Sequence, residues 1–458
     1  MAAGRGWPRR YQARRYQLPG TPGQRGLPAA RRRRHARNVI PLRTPAPPAA
    51  RSRSRLRGPS PERAGFGPRF VVACSFGSVL NPVNSSIIAV ALASIGRAFG
   101  ADAASTTWLV SALYLAAAIG QPTAGRLADL LGPRRVDLAG TVLVAAGGVL
   151  GYLAGSLAVL VVSRVVIGFG TSAAYPAAMA LVRRQSGRLR QDPPGRVLGA
   201  LAITGQASMA VGPVLGGALI AAGGWRLTFL VNVPLAVAGT AAVLAWLPAD
   251  EPGAGTAPGP GLGLLVRNRA LVVTYLRFAV TALIIYGFIY GWTLWLEQAA
   301  GRDAADAGLL MTPSFAVAAA VSAAAARLRR LWPQLLTGAI ALAAVGAGLL
   351  VLDARSPLWL LVALSVVFGF QNGVNVVANQ AAMYAQAPAV ATGAAAGLLR
   401  TFMYLGAIAS ASLIGLCYGR QATDAGLHRL AVILVIAAAA LLAVILADRS
   451  TLEACSEQ

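Results

Sequence analysis

Twelve apolar stretches of about twenty residues each, separated by short clusters of charge, constrain this chain more than any other feature. A helix of about 20 residues crosses the hydrocarbon core of a bilayer, and inside that core every backbone N–H and C=O must be satisfied within the segment. The pattern therefore predicts an all-α integral membrane protein. Composition agrees: mean hydropathy is +0.61 and only 12% of the 458 residues are charged, against about 25% in soluble domains. A soluble fold of this length would have too little polar surface to face water.

The spans are predicted near 70–93, 106–124, 137–156, 158–181, 197–221, 227–247, 271–296, 305–325, 332–352, 357–380, 390–417 and 427–447. They form two sets of six, an amino-terminal half over 67–248 and a carboxy-terminal half over 271–448. Between them, 249–270 opens with a Pro/Gly-dense stretch from Ala249 to Gly263 that reads as a linker. Arginine placement fits this count. With the amino terminus in the cytoplasm, inward loops carry Arg126, Arg134 and Arg135, then Arg183, Arg184 and Arg188, then Arg267 and Arg269, then Arg327 and Arg330. Outward loops carry few, such as Arg97, Arg226 and Arg302. That alternation is the positive-inside rule, and both termini are expected in the cytoplasm.

Net charge is +26, and every basic side chain other than histidine is arginine. High Ala, Gly and Arg without Lys points to a GC-rich bacterial gene. Residues 1–66 hold runs such as Arg31-Arg32-Arg33-Arg34 and show no hydrophobic period, so they are expected to be a disordered cytoplasmic tail, followed at the other end by a short tail over 449–458. The tail could attract anionic lipid headgroups. No fold or interleaved aromatics accompany its charge, so nucleic acid is not an expected partner. Cys74, Cys417 and Cys455 fit no ligand spacing, and His35 and His428 are isolated. No cofactor or metal is expected. No phosphate-binding Gly-Lys-Ser/Thr loop and no nucleophile–base cluster points to an enzyme.

The loop after the second span reads Gly125-Arg-Leu-Ala-Asp129-Leu-Leu-Gly132-Pro-Arg134-Arg135. Its glycines permit a tight turn, and Asp129 can pair with an arginine or a helix terminus. The fourth span carries Arg164-Val-Val-Ile-Gly168-Phe-Gly170, and the fifth carries Gly212-Pro213 and Gly216-Gly217. Arginine inside a span costs at least ~2.5 kcal/mol, so Arg164 needs a partner, a wet cavity or a route to the interface. Small residues let helices approach, and Pro213 weakens the helix ladder. In this order and spacing the three segments resemble the signature loop, the second motif and the antiporter motif of the major facilitator superfamily. The opening of the sixth span, Trp225-Arg226 through Asn232 and Pro234, is similar to its drug exporters. The resemblance implies two six-helix halves that rock about a central site.

It also implies that spans 1, 4, 7 and 10 line that site. These spans carry polar stripes: Asn81 and Asn84 on the first; Arg277, Tyr286 and Tyr290 on the seventh, ahead of Trp292 and Trp295; Gln371, Asn375 and Asn379 at four-residue spacing on the tenth. Hydrogen bonding between helices would satisfy such side chains, and so would a cavity; the resemblance favours the cavity. Trp292 and Trp295 fit either a ligand-stacking cluster or an interfacial belt. Val83-Asn84-Ser-Ser-Ile-Ile-Ala-Val-Ala-Leu92 resembles the first-span motif of drug:proton antiporters, which have an Asp where this chain has Asn84. An amide cannot carry a proton, and Glu297 is the nearest candidate carboxyl. The expectation is a monomeric, proton-coupled exporter of amphipathic small molecules. A transporter of a polar metabolite, or a membrane receptor that keeps the fold without transport, are the alternatives.

Overall fold

The computed structural model describes residues 66–189, 195–250, 262–328, 330–388, 392–449 and 452–453. Residues 1–65 of the expected tail over 1–66, and residues 251–261 of the linker, lie outside them. Twelve long helices follow one another: α1 (Pro68–Ala89), α2 (Ala103–Leu131), α3 (Pro133–Tyr152), α4 (Leu157–Leu189), α5 (Gly195–Gly223), α6 (Leu227–Trp246), α7 (Arg269–Gln298), α8 (Ala304–Ala325), α9 (Leu331–Leu350), α10 (Leu358–Gln386), α11 (Thr392–Tyr418) and α12 (Asp424–Ala447). Among the described residues ten of these are long and apolar enough to cross a membrane, or eleven with α1, whose two pieces meet at 42°. The described apolar part of α5, Ala207–Gly223, is shorter. Each expected span falls on one helix.

Four helix starts on one side of the bundle share one chemistry. Asp102, Ser156, Asp303 and Thr423 precede α2, α4, α8 and α12, and each accepts a hydrogen bond from a first-turn N–H. Such caps satisfy donors that a helix leaves open. The Ser105 hydroxyl, and then its N–H, hold the Asp102 carboxyl below its usual pKa. Helices α1 and α7 depart from regular geometry. The bend in α1 lies between Phe76 and Val79, one turn before Pro82; proline lacks an N–H and its ring crowds the carbonyl four residues back. In α7, Gly287–Trp292 form a π-helical segment, a distortion frequent at functional sites. The sequence reading ends the fourth span at residue 181, but α4 continues to Leu189, carrying Arg183, Arg184 and Arg188 on its last turns. Leu181 and Val182 stay buried there, so one apolar face extends beneath the arginines.

The packing repeats with a period of six helices. In the first half α1 packs on α5, α2 on α4, and α3 on α4 and α6. In the second, α7 packs on α11, α8 on α10, and α9 on α10 and α12. The halves meet along α5–α8 and α2–α11, which are themselves six-helix equivalents. Glycines set the closest approaches. A Cβ on Gly168 would lie 2.6 Å from the Leu113 carbonyl oxygen, and one on Gly140 would lie 2.7 Å from that of Gly170. Close backbone approach of this kind is how helices associate where lipid gives no hydrophobic drive.

Candidate substrate pathway

The α5 motif turns two faces to two partners. Gly212 and Gly216 lie against Ser86 and Ile87 of α1 and Val90 at its end. Pro213 and Gly217 lie against α8 of the other half: Pro213 meets Gly308 backbone to backbone, and a Cβ on Gly217 would stand 2.8 Å from the Ala304 carbonyl oxygen. The sequence motif therefore sits at the interface between the halves.

Polar contacts cross the same interface at successive depths. At the capped side, the N–H groups of Ala103 and Ala104 donate to the carbonyls of Arg420 and Gly419 at 3.2 and 3.1 Å. One step deeper, the Tyr290 hydroxyl donates to the Ser85 carbonyl at 2.9 Å and shares a hydrogen bond with the Tyr114 hydroxyl at 2.9 Å. Deeper still, Gln121 donates to the Tyr404 hydroxyl at 2.7 Å. Towards the arginine-rich side, the Arg400 guanidinium lies 3.7 Å from the centre of the Tyr175 ring. Tyr286 joins this set by ring contacts of 5.1 Å with Tyr114 and 5.8 Å with Tyr290. The π-helical segment of α7 starts directly after Tyr286 and holds Tyr290.

Of the residues singled out by sequence, Tyr286, Tyr290 and Arg164 belong to this interface or border it. Arg164 is 2% exposed; its Nε donates to the Leu109 carbonyl at 3.1 Å and one terminal nitrogen has no partner. It does not reach the membrane surface. Asn81 donates to the Thr171 hydroxyl of α4 at 3.1 Å, and Asn84 donates to the side-chain Oδ1 of Asn232 on α6 at 2.6 Å. Both amides knit the first half together. The amides of α10 do the same in the second half. Asn379 accepts from Arg277 Nε at 2.9 Å, Arg277 pairs with Asp448 at 3.5 Å, and Asn375 lies against Gly338 of α9. Gln371 accepts from Asn375 at 3.3 Å. Trp292 and Trp295 are both fully buried, so neither forms a lipid-facing belt. Glu297 is 7% exposed at the capped end of α7, and neither of its carboxyl oxygens has a hydrogen-bond partner among the described residues, though the charges of Arg97 and Asp303 act on it.

The arginine-rich surface holds a latch that sequence shows only in part. Asp129 pairs with Arg183 at 3.5 Å, the arginine exposed and the aspartate half-buried, and a solvent-accessible pair of this kind contributes little. The stronger constellation centres on Asp250. Its carboxylate accepts from the Arg134 and Arg135 N–H groups at 3.2 and 2.9 Å and pairs with Arg184 at 3.4 Å. Gly132, at φ 101°, leaves the room that the Asp250 side chain fills, whereas Gly125 has only Pro176 nearby at 3.8 Å. Asp250→Ala should lower stability by about 1 kcal/mol, the typical worth of an N-terminal cap; a thermal melt of the detergent-purified protein checks this, and an unchanged midpoint contradicts it.

The profile described as Major Facilitator Superfamily matches residues 74–411. The chain belongs to the major facilitator superfamily. It is a multi-pass membrane protein of that transporter family. Among curated relatives, the Bacillus subtilis protein described as an uncharacterized MFS-type transporter, YwoD, is 28% identical over 438 residues, covering 81% of this chain and 94% of the relative. The Mycobacterium tuberculosis multidrug resistance protein B homolog is 34% identical over 211 residues, 46% of this chain and 38% of that protein. The tetracenomycin C resistance and export protein of Streptomyces glaucescens is 33% identical over 177 residues, 38% of this chain and 32% of its own length. Among solved structures, the nucleoside transporter NupG superposes with a TM-score of 0.64 at 14% identity, covering 82% of this chain and 98% of that one, a likeness of fold.

Proposed function

We propose that this protein is a secondary active transporter of the cytoplasmic membrane, with both termini inside, that exports amphipathic small molecules by alternating access in exchange for protons. The observation that carries it is the layered contact between the halves. Backbone bonds close one side, tyrosines bridge the middle, and Arg400 on Tyr175 forms a separate contact towards the other side. Two six-helix bodies joined by separable contacts at two depths can open one side while the other stays shut. The α5 motif at the interface, and partial matches to proteins named for drug resistance and export, support the export direction. Glu297 is the proposed proton carrier, because the first-half position that carries an acid in drug:proton antiporters is Asn84, bonded to Asn232. One chain supplies both halves, so a monomer suffices.

Inverted membrane vesicles with an acidified interior and a pH-sensitive dye test this reading. Addition of a panel of lipophilic cations, anions and neutral antibiotics should release protons with at least one member. No release across the panel, with the protein verified in the membrane, counts against proton-coupled export.

A further inference from the structure

We propose that the pathway selects aromatic anions, and that Arg400 is the residue that holds the anionic group. The proposal rests on the transporter reading and narrows its substrate class. Arg164, Arg277 and Arg400 are the arginines that lie deepest in the spans. Arg277 has a carboxylate partner in Asp448. Among the described residues no carboxylate pairs with Arg164 or Arg400; both are surrounded by tyrosines, Arg164 by Tyr114 and Tyr290, and Arg400 by Tyr175, Tyr384 and Tyr404. Every acidic side chain described within the twelve helices lies near a helix end, at Asp129, Asp137, Glu297, Asp306 and Asp424.

This distribution favours one sign of ligand. An arginine removed from water without a counter-charge is costly, and a ligand anion offsets that cost. Arg400 is only half-buried, and Tyr384 beside it is 43% exposed, so this arginine is reachable where Arg164 is sealed. A planar guanidinium binds a carboxylate through two parallel hydrogen bonds. The neighbouring rings suit an aromatic body: Tyr404 stacks on Tyr114 at 5.5 Å, and Tyr114 meets Tyr286 at 5.1 Å. A cation would meet two arginines and no acid, since Asn84 is an amide. Expelling a monovalent anion while admitting a proton moves two charges in the direction that an inside-negative potential favours.

A pair of xanthene dyes of opposite charge provides the test, read as anisotropy with the purified full chain. Fluorescein should bind saturably and rhodamine 6G more weakly. Arg400→Gln should weaken fluorescein at least tenfold, and Arg400→Lys, which keeps the charge and controls for folding, should lose less. Equal or tighter binding of rhodamine 6G, fluorescein binding unchanged in Arg400→Gln, or no saturable fluorescein binding would overturn the proposal. Flux separates the two readings. Arg400-dependent fluorescein binding with no proton release across the whole panel leaves the site standing and removes the exporter. Substrate-dependent proton release with other compounds, but no fluorescein binding, does the reverse.

Discussion

Replacing Gly308 by leucine should abolish transport while leaving the protein in the membrane. Gly308 meets the Pro213 carbonyl across the α5–α8 interface, so a side chain there strikes backbone of the other half rather than a flexible tip. Overpacking of this kind costs about 1–3 kcal/mol. The cost falls on the contact between the halves, because α5 and α8 each keep their partners within their own half, α1 and α10. Leu309, next in sequence, is 58% exposed and supplies the control: Leu309→Val should transport normally. Flux in vesicles, normalised to membrane-inserted protein, reads both. Wild-type flux in Gly308→Leu would show that this approach does not matter.

The second large effect is expected at Glu297. Gln has nearly the same shape as Glu but cannot exchange a proton. Both carboxyl oxygens of Glu297 are buried without a hydrogen-bond partner among the described residues, so the substitution breaks no bond described there. Glu297→Gln should therefore fold normally and lose proton-driven accumulation by at least tenfold. Exchange of labelled for unlabelled substrate, which needs no net proton movement, should persist. Proton-driven accumulation at the wild-type rate would remove Glu297 from the coupling path.

These residues differ in how far sequence exposes them. The twelve spans are legible because lipid enforces one length and one polarity on every helix. The α5 motif is legible because close approach restricts the positions to glycine and proline. The tyrosine layer is not. Tyr114, Tyr175, Tyr290 and Tyr404 come one from each of four helices, with no period joining them, and only Tyr286 and Tyr290 share a helix at a telling spacing. Arg400 falls inside the predicted eleventh span and lies two turns inside α11, but nothing in the sequence sets it beside Tyr175. Asp250 is 116 residues from Arg134, its partner at the start of α3. The α10 amides show the limit of spacing. A four-residue repeat places Gln371, Asn375 and Asn379 on one face, but only packing reveals that Gly338 and Arg277 stand opposite it.

Alternating access requires the two halves to move oppositely at the two sides. Arg183 and Leu328 are exposed in different halves on the arginine-rich side; Leu153 and Arg355 are exposed in different halves on the capped side. With the native cysteines replaced by serine, spin labels at each pair report interhalf distance at pH 8 and pH 5. A pH change should lengthen one distance and shorten the other. Two distances that stay fixed, or that lengthen together, would contradict alternating access.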